Sequence, residues 1–208
     1  MLRKVLIALA AVIVVLLVVI ALRPSAYRVE RSTRIAAPPD VVFGLVNDFH
    51  AWDRWFPKLD PEMKVTFGGP PSGLGATCAW TRNAKVGEGN MRITESRPAQ
   101  KVGIRLEFLR PMQGVSQTEF VFRPESGGTQ VSWVMSGTND FRGKAFSLFA
   151  DMDAMIGKVL DKALAALRTE AEAEAKRRAD AAAIAGATST PAGLPSPVEP
   201  AAASPPVK

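Results

Sequence analysis

The sequence predicts an α+β fold: a curved, seven-stranded antiparallel sheet wrapped around one long C-terminal helix, behind an N-terminal transmembrane helix. Three observations predict it. Val5 to Leu22 is an uncharged run of eighteen apolar residues. From residue 27 to 135, stretches of alternating polarity are cut by Gly, Pro and Asn turn residues, with short helical segments after the first stretch. From Lys144 the apolar spacing changes to the three-four rhythm of a helix.

The first run contains fourteen Val, Leu or Ile and four Ala. At ~1.5 Å per residue it spans about 27 Å, close to the hydrocarbon thickness of a thin bilayer. At roughly −0.3 to −0.6 kcal/mol per strongly apolar residue, insertion is favoured by several kcal/mol. Nine of the eighteen are β-branched and no polar face exists, which argues against a buried soluble helix. A cleaved secretory signal competes, because Arg3 and Lys4 in the short tail 1–4 form a charged n-region. The run exceeds the usual h-region, however, and Pro24-Ser25-Ala26 is a poor cleavage site, so an uncleaved single-pass anchor in the cell membrane is expected. The short tail favours retention inside and a domain on the outer, periplasmic side. Arg23, Arg28, Arg31 and Arg34 count against that orientation.

The folded domain is expected over residues 26–169. Tyr27, Val29, Thr33 and Ile35 alternate with Arg28, Glu30, Ser32 and Arg34 as a half-buried strand. Ala37-Pro38-Pro39-Asp40 breaks it and starts a helix to about Val46, proline being tolerated in a first turn. A second short helix is expected over His50 to Phe56, stopped by Pro57. Six strands follow: Met63–Phe67, Ala76–Arg82, Val86–Glu95, Val102–Leu109, Val115–Phe122 and Thr129–Met135. Their short turns require antiparallel neighbours.

In the long helix, Phe149, Met152, Ile156, Val159, Leu160, Ala163, Leu164 and Leu167 follow one face. Beyond Leu167 only Ala and charged residues continue, with Glu172–Lys176 and Glu174–Arg178 in the favourable i,i+4 order. Residues 170–183 therefore read as a charged helical extension. Residues 184–208, with six prolines and almost no large apolar group, read as a disordered tail.

Composition removes much chemistry. One cysteine, Cys78, cannot form an intramolecular disulfide. With one histidine, His50, the chain has too few soft ligands for an ordinary zinc, copper or haem site, so no metal or cofactor is expected. The formal charge of +6 is spread along the chain, without the clustered stripe of a nucleic-acid binder.

The order and the local text resemble the helix-grip fold of the START-like (SRPBCC) superfamily, which includes polyketide cyclase/dehydrase and lipid-transfer proteins. Arg34-Ile35-Ala36-Ala37-Pro38-Pro39-Asp40-Val41-Val42-Phe43 is similar to the opening in which a strand meets I-x-A-P-x-x-x-V-F. Asn47-Asp48-Phe49-His50-Ala51-Trp52-Asp53-Arg54-Trp55 resembles the aromatic second helix, and Thr129-Gln130-Val131-Ser132-Trp133 a G-T-x-V-x-W strand. None of these motifs specifies an activity.

A sheet gripping a helix leaves a cavity between them. By period its lining is Trp80, Met91, Ile93, Leu106, Phe108, Phe120, Phe122, Trp133 and Met135 from the strands, with Met152, Met155 and Ile156 from the helix. Cys78 shares the face of Trp80, while Trp52 and Trp55 are expected at the rim. The expected function is a membrane-anchored domain binding an apolar lipid, quinone or polyketide-like molecule. The alternatives are a polyketide cyclase- or dehydratase-like enzyme using a cavity carboxylate, and a structural or interaction module with a filled core. Glu88 reads as a surface strand end, and Asp151 and Asp153 as a solvated helix edge.

Overall fold

The computed structural model describes residues 1–56, 63–81, 87–110, 113–148 and 150–188. Helix α1 (Leu2–Leu22) is long and apolar enough to cross a membrane, and Ile20 is its one buried side chain. Strand β1 (Ala26–Ile35) follows after three residues. Pro39 in the first turn opens α2 (Pro39–Asn47), whose Val41, Val42, Leu45 and Val46 are buried. The expected second short helix is a 3₁₀ helix, Phe49–Arg54, capped by Asp48, whose carboxylate accepts from the His50 amide at 2.8 Å.

Strands β2 (Lys64–Gly68), β3 (Thr77–Thr81), β4 (Glu88–Arg97), β5 (Lys101–Arg110), β6 (Gly114–Glu125) and β7 (Gly128–Thr138) complete the sheet. It is wholly antiparallel in the order β1-β7-β6-β5-β4-β3-β2. The first strand thus pairs with the last, and the segment of α2 and the 3₁₀ helix crosses from one edge of the sheet to the other.

The long helix differs from expectation at its start. The chain forms a short helix α3 (Phe141–Phe146), breaks, and begins α4 (Met152–Thr188) eight residues later than Lys144. Two aspartates cause this. Asp140 accepts from the Gly143 amide at 2.8 Å, and Asp151 accepts from the Ala154 amide at 3.1 Å, so each starts its own helix. Ser147 ends α3, its hydroxyl donating to the Lys144 carbonyl at 2.7 Å. Phe149, expected on the helical face, lies outside the described residues.

On the concave side Ile35, Val42, Val46, Ile93, Val102, Ile104, Phe120, Val131 and Leu167 have essentially no exposed surface. The packed part of α4 continues past its last large apolar residue: Ala171 is fully buried and Ala175 packs on the core. Arg54 binds Glu170, and Glu174 at 3.0 Å, while Glu172 accepts from the Ala36 amide at 3.0 Å. The two glutamates on Arg54 raise its guanidinium pKa, the hydrogen bond it donates to Glu174 most of all. Two compact units result, Met1–Ala175 and Lys176–Lys208. In the second, residues 176–185 are helical and exposed, and residues 189–208, most of the expected tail, lie outside the described residues.

Candidate functional site

The sheet and α4 do not meet everywhere. Between them lies a pocket of about 290 Å³. Its wall takes Trp80 and Cys78 from β3, Met91 from β4, Leu106 and Phe108 from β5, Thr118 from β6, and Trp133 and Met135 from β7. Helix α4 contributes Ile156, Val159 and Leu160. The 3₁₀ segment contributes Phe49, Trp52, Asp53 and Phe56, and Met63, Val65 and Phe67 come from β2 and its approach.

Of the twelve side chains expected to line a cavity, Trp80, Met91, Leu106, Phe108, Trp133, Met135 and Ile156 stand on this wall. Ile93, Phe120 and Phe122 share its face but are covered, sealed in the core at 0–3% exposure. Strand period finds the face, but which part of it stays uncovered depends on what packs over it. Met152 and Met155 are elsewhere. Because α4 starts with its own cap, Met152 borders a separate hollow beside Arg23 and Asp151, and Met155 is half exposed.

Trp52 and Trp55 are not at a rim. They are 8% and 3% exposed, and their indole N–H groups donate to the carbonyls of Val46 at 2.9 Å and Leu45 at 3.0 Å. With these donors satisfied, both rings can be buried, and they contact Phe56, Phe120 and each other. The density of aromatics in Phe49–Phe56 was the available signal for a core element. Met63, Val65 and Phe67 likewise share one parity, which foreshadowed the contribution of β2.

Trp133 stacks on Phe120 with ring centres 4.4 Å apart. Its N–H donates to the Thr118 hydroxyl at 2.5 Å, which in turn donates to the Val134 carbonyl at 3.1 Å. The indole is thus satisfied by protein and presents an apolar ring to the pocket. Trp80 lies across β4 where residue 89 is Gly: a Cβ there would sit 2.3 Å from its ring. A register shift between Glu88 and Gly89 accompanies this close approach, and Glu88 faces Arg110 at 3.7 Å, at the strand end.

The polar groups on the wall are few. Burial, with the Asp53 carboxylate adding to it, pushes the Cys78 thiol up to about 11, so it stays neutral at physiological pH. Asp53 is exposed at the margin. His50 is also at the surface, its ring against Phe67 at 4.1 Å and its Nδ1 2.9 Å from Asp48. Outside the pocket, inward-facing Arg31 of β1 clasps α4, binding Asp153 at 2.7 Å and Asp161 at 3.4 Å. It crosses α4 at Gly157, where a Cβ would clash with the guanidinium. The hydrogen bond between them raises the Arg31 pKa and lowers that of Asp153. Among the described residues no group of three or more His, Cys, Asp or Glu side chains is arranged to hold a metal ion.

The sequence profile described as "Polyketide cyclase / dehydrase and lipid transport" matches residues 26–172. The chain belongs to this family. As a member of the family, it shares its fold with distant solved structures. One is protein CV1439 from Chromobacterium violaceum, 19% identical over 72% of this chain and 99% of that one, with a TM-score of 0.52. A second is the Aha1 dimer from Colwellia psychrerythraea, 15% identical over 70% and 96% of the respective chains, with a TM-score of 0.52. A third is the di-domain ARO/CYC StfQ from the steffimycin biosynthetic pathway, 14% identical over 75% of this chain and 52% of that one, with a TM-score of 0.56. At these identities the likeness concerns the fold. No curated protein gives a significant match.

Proposed function

We propose that this member of the polyketide cyclase/dehydrase and lipid transport family is a membrane-anchored binding domain. In this reading the sheet–helix pocket takes part of an apolar molecule such as a lipid, a quinone or a polyketide-like compound. The observation that carries it is the pocket wall: Trp80, Phe108, Met91, Leu106 and Met135 stand half-buried around empty space although the core behind them is closed. Leaving such groups unpacked forfeits contact and burial energy that a filled core would gain. An apolar ligand restores both. Methionine side chains adapt to its shape, and the aromatic rings give it flat faces.

Helix α1 serves as the anchor, with the domain on the outer side of the cell membrane. A reporter fused after Lys208 tests the side, and activity of a cytoplasm-only reporter overturns it. An isolated protein starting near Tyr27 overturns the anchor.

Native mass spectrometry of detergent-extracted protein should show a co-purifying apolar molecule. Titrating a single-Trp133 variant with long-chain lipids and quinones should change its emission, because its ring faces the pocket. A pocket that binds none of them, in a domain that still melts cooperatively, leaves the structural-module reading. A proton-transfer reading would rest on Asp53, the carboxylate on the wall, and Asp53→Asn tests it: a binding domain keeps its ligand in that variant.

A further inference from the structure

The register of the sheet fixes which of its ends carries the pocket. Tyr27, the second residue of β1, pairs with Gly137, Gly137 with Ser116, and Ser116 with Leu106. Leu106 pairs with Met91, Met91 with Cys78, and Cys78 with Phe67. This single row crosses all seven strands, and its last four members are pocket residues. Phe108, Trp80 and Val65 lie beyond it, toward the same end. The row begins five residues after α1 stops at Leu22. A link of three residues, Arg23 to Ser25, reaches at most ~10 Å when fully extended. It is further held by the Asn139 amide, which donates to the Ser25 carbonyl at 2.7 Å, and by Lys144, whose ammonium donates to the Ala21 carbonyl at 3.2 Å. The pocket therefore occupies the end of the sheet that grows out of α1.

That end also exposes apolar surface. Phe141 and Phe146 of α3 are 49% and 43% exposed, and Leu109 and Val115 flank the β5–β6 connection at 47% and 41%. At the far end, among the described residues, the exposed large apolar one is Leu74, on the β2–β3 connection. Cationic Arg142 and Lys144 lie between the two phenylalanines in the chain, and Arg23 borders a hollow with Ser147 and Leu148 just after them, a set suited to lipid phosphates.

We propose that this end of the domain lies on the bilayer that α1 spans, with Phe141 and Phe146 in the headgroup layer. An apolar ligand then exchanges between pocket and membrane without crossing water. The partner is the lipid surface itself. The size of the pocket agrees: about 290 Å³ is at the small end for a ligand site, so a long molecule keeps its remainder outside. Bilayer is the medium in which that remainder is soluble. The inference rests on α1 as an anchor and on the pocket as a ligand site, and adds the direction the pocket faces.

The test uses the full chain in vesicles of mixed phosphatidylcholine and phosphatidylglycerol. An environment-sensitive fluorophore is placed on Phe146→Cys or, at the far end, on Ser126→Cys, each in a Cys78→Ala background. Brominated acyl chains should quench the 146 label about twofold and leave the 126 label unchanged, as for a side chain seated in the acyl boundary. Adding Phe141→Asp should weaken the quenching at 146. Two unquenched labels on vesicle-bound protein, or quenching at 126, overturns the proposal. Flotation of the vesicles reads the anchor separately, and titration of Trp133 in detergent reads ligand binding separately. Protein that fails to float with the vesicles removes the anchor and this inference with it, whereas failed titration overturns the ligand exchange while the two labels still decide whether this end lies on the bilayer.

Discussion

The two ends of the sheet–helix layer share the same strands and the same kinds of side chain, yet one is closed and the other hollow. At the closed end Ile93, Val102, Phe122 and Val131 share one core cluster with Leu164 and Leu167 of α4, and all are at most 3% exposed. There the sheet is covered twice, by α4 and by α2, whose apolar face packs on β5, β6 and β7. At the hollow end Met91, Leu106, Phe108 and Met135 stand across open space from the 3₁₀ segment and from Ile156, Val159 and Leu160 in the first turns of α4. A concave sheet needs more side-chain volume than one helix supplies. What lies over a strand, rather than the strand's own sequence, decides whether its inward face becomes core or cavity.

The comparison can be broken most forcibly by removing the lid of the closed end. A chain ending at Lys158 loses Leu160, Leu164 and Leu167, each at most 2% exposed. At about 1.5–3 kcal/mol per buried side chain, their loss approaches the ~5–15 kcal/mol stability of a whole domain. Calorimetry should find no cooperative transition, and a surviving sharp melt would show that the sheet is stable without its helix.

A paired substitution on one strand sharpens the contrast. Ile93 and Met91 are successive inward residues of β4, one sealed and one on the pocket wall. Ile93→Ala should cost about 2–5 kcal/mol, because it adds an unfilled cavity to the lost transfer energy. Met91→Ala starts beside existing space and is only half-buried, so about 1 kcal/mol is expected. Urea unfolding measures both, and equal costs would mean the two ends pack alike.

The thiol gives a smaller effect with a definite sign. Cys78 is raised from 9.0 to about 11 in the folded chain, so below pH 9 both folded and unfolded states hold the proton. Between pH 9 and 11 the unfolded state loses it first, so this group's contribution to stability is present below pH 9 and lost as pH rises through 11. Alkylation of Cys78 should accordingly be slow at neutral pH and accelerate only in strong alkali, and a ligand seated in the pocket should protect it. A fast reaction at pH 7 would contradict the burial.

Deleting 184–208 should change least. Six prolines and few large apolar groups give that segment little to pack, so the melting temperature should stay within error. A fall of several degrees would show that the tail docks on the domain.

The sequence by itself determined the order of elements, the parity of each strand and the apolar length of α1. These depend on local chemistry: alternation of side chains, proline and glycine at turns, and a helical period in 152–167. The split of α3 from α4 was not read from the sequence, because the apolar period alone runs past Asp140 and Asp151 and only their side-chain caps reveal it. Tertiary structure decided the rest. Arg31 falls on an inward position of β1, and only the passage of α4 with Gly157 over it makes that tolerable, by supplying Asp153 and Asp161. Trp52 and Trp55 became core because carbonyls of α2 accept their N–H groups. Ile93 was sealed while Met91 was left on a wall, although they share a strand, a face and an apolar character. Period two assigns a side chain to a face of the sheet, but the volume above that face belongs to elements many residues away, and it settles only when they pack.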